Sequence, residues 1–338
     1  DIFLTFFLGL NIIDWFSIVI TIVIQGFLFS AGMIFNKKLI KFSAITVYLG
    51  MITFFFLVLL SDVKITSNAF VSLLDYSNFI DKSNIAPLVT VIGTTFTFFS
   101  IIILSYGDFA RYVKNENELR KGNFSLLLNL IIFSFITLFI VTGVDAFLKQ
   151  DPENLDRILT SPNDIIGKLD NLLLTIMVLI FIIIASASTN LIANFIPSQY
   201  SLINFIPSSF SLKSSSITII ILGFFVSVFW LTYLSQIGIL FYIEAIGTFF
   251  GPLFGVMIAD FYFIKKESLN NKDIYSLEQN GSYYYSGGWH IKGVYALFLG
   301  FIFSVSTIWN NNLMFLESYS WIIGAIVSFV VYYLLAKD

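Results

Sequence analysis

The segment LLLTIMVLIFIIIASASTNLIAN, residues 172–194, combines a long apolar run with a short polar one. Its first part, Leu172 to Ile184, is almost wholly Leu, Ile, Val, Met and Phe, and its second part adds Ser, Thr and two Asn. A helix that is apolar on all sides is typical of a membrane span, and polar residues inside a span usually face a protected cavity. The segment therefore predicts a membrane helix with a binding site on one side.

The composition of the whole chain is that of a polytopic membrane protein. Of its 338 residues, 57% are hydrophobic and 12% are charged, and the mean hydropathy is +0.89. A helix needs roughly 17–25 apolar residues to cross a bilayer, and nine runs meet this length. We therefore predict an all-α fold with nine membrane spans: Ile12 to Phe35, Phe42 to Leu60, Ile85 to Tyr106, Phe124 to Ala146, Leu172 to Ile196, Ile217 to Leu234, Ile239 to Phe263, Gly293 to Trp309, and Ser320 to Leu335.

The basic residues predict how these spans are oriented. Of the 18 Lys and Arg, 13 lie in alternate connections between the spans. Cytoplasmic loops of membrane proteins carry an excess of Lys and Arg, so we assign those connections to the cytoplasm. We therefore expect connections 107–123 and 264–292 to be cytoplasmic and the acidic connection 147–171 to lie outside.

Few residues offer covalent or metal chemistry. The chain has no Cys and a single His, His290, which excludes disulfides and a histidine-rich metal site built by this chain alone. We find no nucleophile–base pair and no Gly-rich phosphate loop, so we expect neither an enzyme nor a cofactor. Glu244 lies within a predicted span, where a carboxylate is a functional candidate by default. Gly251 and Gly255 form a small-xxx-small pair that allows close helix packing.

Five residues at the end of the opening segment are the candidate site. Asn190 and Asn194 are four apart and so share a helix face, and Ser188 and Thr189 precede them one turn after Ala185. One interpretation is a packing face, in which the hydroxyls bond to their own backbone carbonyls. The other is a ligand site, since two amides need partners in a medium without water and oxygen ligands suit a small hard cation.

Four strings resemble the nucleobase-cation symporter family in their order and spacing. They are GDFARY (107–112), STNLIANFIPSQYSLINFIP (188–207), GPLFGVMIADFYFIKK (251–266) and DIYSLEQNGSYYYSGGWH (273–290). The resemblance runs from about Ile12 onward and implies a leucine-transporter-like bundle of inverted repeats. It aligns the nine spans with family spans four to twelve. We therefore expect residues 1–338 to form a single transporter domain that lacks about three preceding spans.

The resemblance also implies roles for individual residues. It assigns a sodium site to the backbone carbonyl of Ala185 and to the hydroxyls of Ser188 and Thr189. It assigns hydrogen bonds to the substrate to Asn194, with Asn190 as a second candidate. Phe99 stands where the sodium-coupled hydantoin carriers of the family have a Trp that stacks on the substrate ring, and it offers a smaller ring for stacking.

The function that follows is cation symport of a nucleobase or a related heterocycle such as allantoin, hydantoin, cytosine or uracil. We expect a multi-pass plasma-membrane protein, in the bacterial inner membrane, that binds a small heterocycle, sodium or a proton, the lipid bilayer and no nucleic acid. One alternative is a proton-coupled amino-acid or polyamine carrier of the same fold, with Glu244 as its titrating group. A membrane-embedded enzyme is the other, although Glu244 and Asp260 lie at opposite ends of one span.

Overall fold

The computed structural model describes residues 6–75, 85–148, 172–276 and 278–337, and these are largely helical. Short π segments with i→i−5 hydrogen bonds follow three of the α-helices. They are π1 (Asn190–Phe195), π2 (Trp230–Leu234) and π3 (Ala259–Ile264). The α-helices are α1 (Ile12–Ser30), α2 (Gly32–Ser61), α3 (Val63–Leu73), α4 (Ile85–Leu104), α5 (Tyr106–Ala110), α6 (Glu116–Leu148), α7 (Leu172–Thr189), α8 (Ile196–Phe205), α9 (Leu212–Phe229), α10 (Ser235–Ile237), α11 (Ile239–Ile258), α12 (Ile291–Trp309) and α13 (Ser320–Ala336).

Nine helical stretches of the described chain are long and apolar enough to cross a membrane, which confirms the predicted number. Their surfaces expose many large apolar side chains, as helices that face lipid do. The stretches are Ile12–Ser30, Phe35–Leu60, Pro87–Leu104, Glu116–Ala146, Thr175–Phe205, Leu212–Ile237, Phe241–Ile264, Ile291–Trp309 and Met314–Ala336.

Two details differ from the sequence prediction. The segment around Lys37 and Lys41, expected to be a connection, is the beginning of α2, because lysine is a good helix former and no proline interrupts the segment. The amphipathic helix α3 was not predicted because it is too short to stand out as a span. The Asp62 carboxylate caps the N-terminus of α3 by accepting hydrogen bonds from the backbone N–H groups of Lys64 and Ile65, both at 3.1 Å. Residues 149–171 of the expected outer connection lie outside the described residues.

The chain forms two compact units. The first comprises Asp1–Ile80 and Asp108–Val228, so it holds α1 to α3 and α6 to α9. In it α2 packs against α3, α6 and α7. One core cluster is formed by Phe54 and Val58 of α2 with Ile140 and Val144 of α6.

The second unit comprises Asp81–Gly107 and Phe229–Asp338, and its helices α11, α12 and α13 pack closely on one another. Glycine permits this contact. A Cβ atom added to Gly251 would lie 2.2 Å from the carbonyl oxygen of Trp321, and one added to Gly255 would lie 2.1 Å from that of Ala325. The packing role predicted for this glycine pair is confirmed.

Candidate functional site

The candidate site lies on one continuous helical run made of α7, π1 and α8. At the end of π1 the backbone N–H of Ile196 donates to the carbonyl of Leu191, five residues earlier. Pro197 follows and has no N–H to donate, so the regular i→i−4 ladder is interrupted here. Such wide turns inside α-helices often occur at functional sites.

The predicted cation ligands lie in the last turn of α7. The Ser188 hydroxyl is buried and donates to the Ala185 carbonyl oxygen at 3.0 Å, while the Thr189 side chain is exposed. This hydrogen bond is the one that the packing interpretation requires. It also holds two of the three predicted ligand oxygens side by side, at a spacing suited to two ligands that are each about 2.4 Å from one ion. The sodium site stays a prediction.

The two asparagines lie in π1 and contact each other. The Asn194 amide donates from Nδ2 to Asn190 Oδ1 at 2.8 Å, with Asn190 half-buried and Asn194 exposed. After this bond Asn194 retains a carbonyl acceptor and one N–H, and Asn190 retains both of its N–H groups. The pair therefore presents donors and acceptors together to any ligand on this face.

A neighbouring face of the same segment is packed into the first unit. Leu191, Phe195 and Ile196 are buried in one cluster. The Phe195 ring stacks on Phe29 of α1, with ring centroids 3.5 Å apart. Because this face is fixed by packing, the direction in which the asparagine pair points is also fixed.

Ala185 also borders a cavity of about 320 Å³ within the first unit. The cavity lies among α2, α6 and α7, and its lining includes Met51, Phe54, Val178 and Phe181. Its surface is therefore largely apolar, which lowers the local dielectric around the last turn of α7 and strengthens any polar contact formed there.

The GDFARY string contacts the candidate segment at α8. Asp108 and Arg111 form an ion pair at 3.1 Å, and the Arg111 guanidinium lies 4.0 Å from the centre of the Tyr200 ring. The hydroxyls of Tyr112 and Tyr200 are 2.5 Å apart. Burial, together with this hydrogen bond, raises the pKa of Tyr112 to about 12, so its hydroxyl stays neutral. Two of the strings quoted above therefore meet one turn beyond π1.

Phe99 belongs to the second unit, where it is half-buried in α4 beside Phe98, with the two ring centroids 5.2 Å apart. The asparagine pair belongs to the first unit. Joint contact of Phe99 and Asn194 with one ligand stays a prediction.

In the second unit, the helical run formed by α11 and π3 carries a carboxylate near each end, buried at Glu244 and half-buried at Asp260. Glu244 is 8% exposed, accepts a hydrogen bond from the Thr94 hydroxyl at 3.3 Å, and has the Glu317 carboxyl within hydrogen-bonding reach. Asp260 accepts hydrogen bonds from the Tyr332 hydroxyl and from Lys265, both at 2.6 Å. Among the described residues no three His, Cys, Asp or Glu lie close enough to hold a metal ion.

The chain matches a known protein family over most of its length. The family described as permease for cytosine/purines, uracil, thiamine, allantoin matches residues 5–324. The chain belongs to this family.

Three curated relatives of this permease family are similar to the chain. It is 28% identical over 237 residues to an allantoin permease of Bacillus subtilis, covering 70% of this chain and 46% of that protein. It is 24% identical to the purine-uracil permease NCS1 of Arabidopsis thaliana (61% and 33% covered) and 24% identical to a putative allantoin permease of Escherichia coli (74% and 50% covered). The matched region thus spans at most half the length of these relatives.

A solved structure shows the same fold. The structure titled "Inward facing conformation of Mhp1" is similar with a TM-score of 0.65 and 16% identity, over 97% of this chain and 67% of that chain. The predicted leucine-transporter fold is confirmed, and the chain is a multi-pass membrane protein of the permease family.

Sequence reasoning missed three features of this permease chain. The π turn had only Pro197 as a signal. The approach of Glu317 to Glu244 links two distant segments that no local pattern connects. The contact of Arg111 with Tyr200 is of the same kind, although both residues lie in strings that carried the family resemblance.

Proposed function

We propose that the protein is a secondary active transporter that imports a nucleobase or a related heterocycle such as allantoin, hydantoin, cytosine or uracil. The family description and the names of the relatives support this substrate class. The observation that carries the proposal is the asparagine pair in π1, because two joined amides expose donors and acceptors on one face of a membrane helix.

The substrate class matches the chemistry of this pair. Ureides, hydantoins and pyrimidines carry N–H and C=O groups in alternation along one edge, and a primary amide can pair with both. Asn194 forms these hydrogen bonds and Asn190 orients its amide. Phe99 stacks on the flat face of the ring, as aromatic side chains do with planar ligands.

The coupling ion is sodium, held by the Ala185 carbonyl and the hydroxyls of Ser188 and Thr189. These ligands lie one turn before the asparagine pair on the same helical run, so the two sites are mechanically linked. Binding of ion and heterocycle together favours the occluded state over the open one, and alternating access follows from that shift in population.

The test measures affinity of purified, monodisperse protein for a panel of labelled allantoin, hydantoin, uracil, cytosine and purines. Asn194→Ala should weaken binding of the preferred compound about five- to 150-fold, the effect of losing roughly 1–3 kcal/mol of paired polar contact in a closed site. The matched control is Asn204→Ala, an exposed asparagine of α8, which should bind as the parent does. Unchanged affinity in Asn194→Ala would refute the proposed role.

A proton is the second candidate for the coupling ion, since Glu244 is buried and has Glu317 beside it. Carboxylates inside membrane spans commonly take part in the proton relays of transporters. This arrangement also fits the alternative of a proton-coupled amino-acid or polyamine carrier. Replacing sodium by choline in an uptake assay separates the two, because sodium coupling predicts loss of uptake and proton coupling predicts none.

A further inference from the structure

A second cavity, of about 300 Å³, lies in the second unit where three membrane spans end. Its apolar lining comes from the ends of those spans, Ile264 of π3, Ile291 of α12 and Ala336 of α13. Its polar lining includes Lys265, Lys292, His290, Tyr285, Ser286 and Asp260. We call this cavity the interfacial pocket, because its lining changes from apolar to charged at the boundary of the spans.

Among the described residues, one cation of the interfacial pocket has no partner. Asp260 uses one carboxylate oxygen for the Tyr332 hydroxyl and the other for Lys265, both at 2.6 Å, so its charge is offset by Lys265. Lys265 is fixed further by Tyr285, whose hydroxyl it reaches at 3.2 Å. Burial acts to lower the pKa of Lys265, but the hydrogen bonds to Asp260 and Tyr285 outweigh it and raise the pKa, so Lys265 stays charged. Lys292 forms no hydrogen bond or ion pair with the rest of the described chain, so the pocket is cationic.

Backbone groups add to this positive field. The helix α12 begins at Ile291, and no side chain in the described part of the chain caps its first turn. The first intrahelical bond runs from the Val294 N–H to the His290 carbonyl at 3.0 Å. The N–H groups of Lys292 and Gly293 therefore have no acceptor within the helix, and the helix dipole places partial positive charge at this end.

We propose that the interfacial pocket binds the phosphate group of an anionic phospholipid. Lys292 and the first N–H groups of α12 contact the phosphate, while the acyl chains lie along the apolar span ends beside Ile264 and Ile291. Basic pockets between membrane helices recognise lipid headgroups in this way. A soluble phosphate shares the same charge chemistry, but it would leave the apolar part of the lining exposed to water, so the lipid is favoured.

His290 reports on occupancy of the pocket. Its Nε2 lies 2.7 Å from the Tyr332 hydroxyl, whose proton goes to Asp260, so the imidazole donates this hydrogen bond. Burial lowers the pKa of His290; Asp260 opposes that effect, and Lys265 and Lys292 add to it. A phosphate at Lys292 offsets the lysine charges and raises this pKa. Because His290 is the single histidine of the chain, its imidazole resonance is unambiguous.

The test embeds the protein in nanodiscs of phosphatidylcholine, with or without phosphatidylglycerol, and titrates His290 by NMR. We expect phosphatidylglycerol to raise the pKa of His290 and to remain bound in native mass spectrometry after extraction. Lys292→Gln should weaken lipid retention about five-fold and remove most of the pKa rise. Lys292→Arg, which retains the charge, should behave as the parent does.

The matched control is Lys272→Gln, an exposed lysine of the same connection that does not line the pocket. It changes the net charge equally, so it should leave lipid retention and the His290 titration unaltered. Two outcomes overturn the proposal. In the first, inorganic phosphate shifts His290 in phosphatidylcholine discs and phosphatidylglycerol does not. In the second, Lys292→Gln and Lys272→Gln give the same retention.

Discussion

Replacing Gly255 by alanine should destabilise the second unit through a direct steric conflict. The added Cβ would lie 2.1 Å from the Ala325 carbonyl oxygen and 2.3 Å from the Ser328 hydroxyl, far inside normal contact distance. The conflict with the carbonyl is with backbone of α13, which cannot rotate away. Overpacking of this kind costs about 1–3 kcal/mol. The Ser328 hydroxyl also donates to the Pro252 carbonyl at 2.9 Å, and the shift would strain that bond.

Thermal unfolding in detergent, followed by tryptophan fluorescence, measures this cost. Trp321 is a suitable probe because its ring packs on Phe254, with centroids 5.1 Å apart, in the same helix interface. The matched control is Gly223→Ala in α9, where a Cβ meets no atom of the described residues within 4 Å and alanine gains about 0.5–1 kcal/mol of helix preference. At one heating rate Gly255→Ala should melt below the parent and Gly223→Ala at or above it. Equal midpoints for Gly255→Ala and the parent would show that α11 and α13 do not pack as described.

Three other predictions follow from the candidate site, the interfacial pocket and the topology. Ser188→Ala or Thr189→Ala should raise the sodium concentration that gives half-maximal uptake. Sodium-independent uptake by the parent protein would contradict the sodium site. The folded pKa of His290 lies below its ordinary 6.5, so the unfolded chain binds more protons between these two values and stability falls as the pH drops through that window. His290→Gln should flatten this part of a plot of melting midpoint against pH. An unchanged slope would refute the claim that His290 causes this pH dependence. Cysteines at Asn154 and Asn270 should react with an impermeant thiol reagent from opposite sides of the membrane. Labelling of both cysteines from the same side would contradict the predicted topology.

Hydropathy predicted the spans because it measures the property that a bilayer selects. It could not predict where a helix begins, because a helix can extend past the apolar region. Lys37 and Lys41 show this, since they continue α2 in register with its apolar part. In the same way α6 begins at Glu116, before the predicted Phe124, with an Arg120–Glu116 ion pair at 2.7 Å on its first turns.

The candidate site was predictable as far as it is local. Residues four apart on a helix are neighbours, and the contact between Asn190 and Asn194 follows from that spacing. The tyrosine pair beyond it was not predictable, because Tyr112 and Tyr200 are 88 positions apart and no periodicity relates them. The glycine contacts were predictable in kind, since small residues indicate a close approach, but not in partner.

The π turn gives the asparagine pair a property that an α-helix would lack. In a regular helix each carbonyl accepts one N–H from four residues later, which leaves little for a ligand. Here the Ile196 N–H donates to the carbonyl of Leu191, and Pro197 has no backbone N–H. Three donors at most, from positions 198 to 200, are then shared among the four carbonyls from Ile192 to Phe195. At least one backbone acceptor in this turn therefore has no N–H donor of its own from the helix, close to the amides of Asn190 and Asn194. A ligand edge with several N–H groups, as in a ureide or a pyrimidine, matches such a combination of side-chain amides and backbone acceptor better than a ligand with a single polar group.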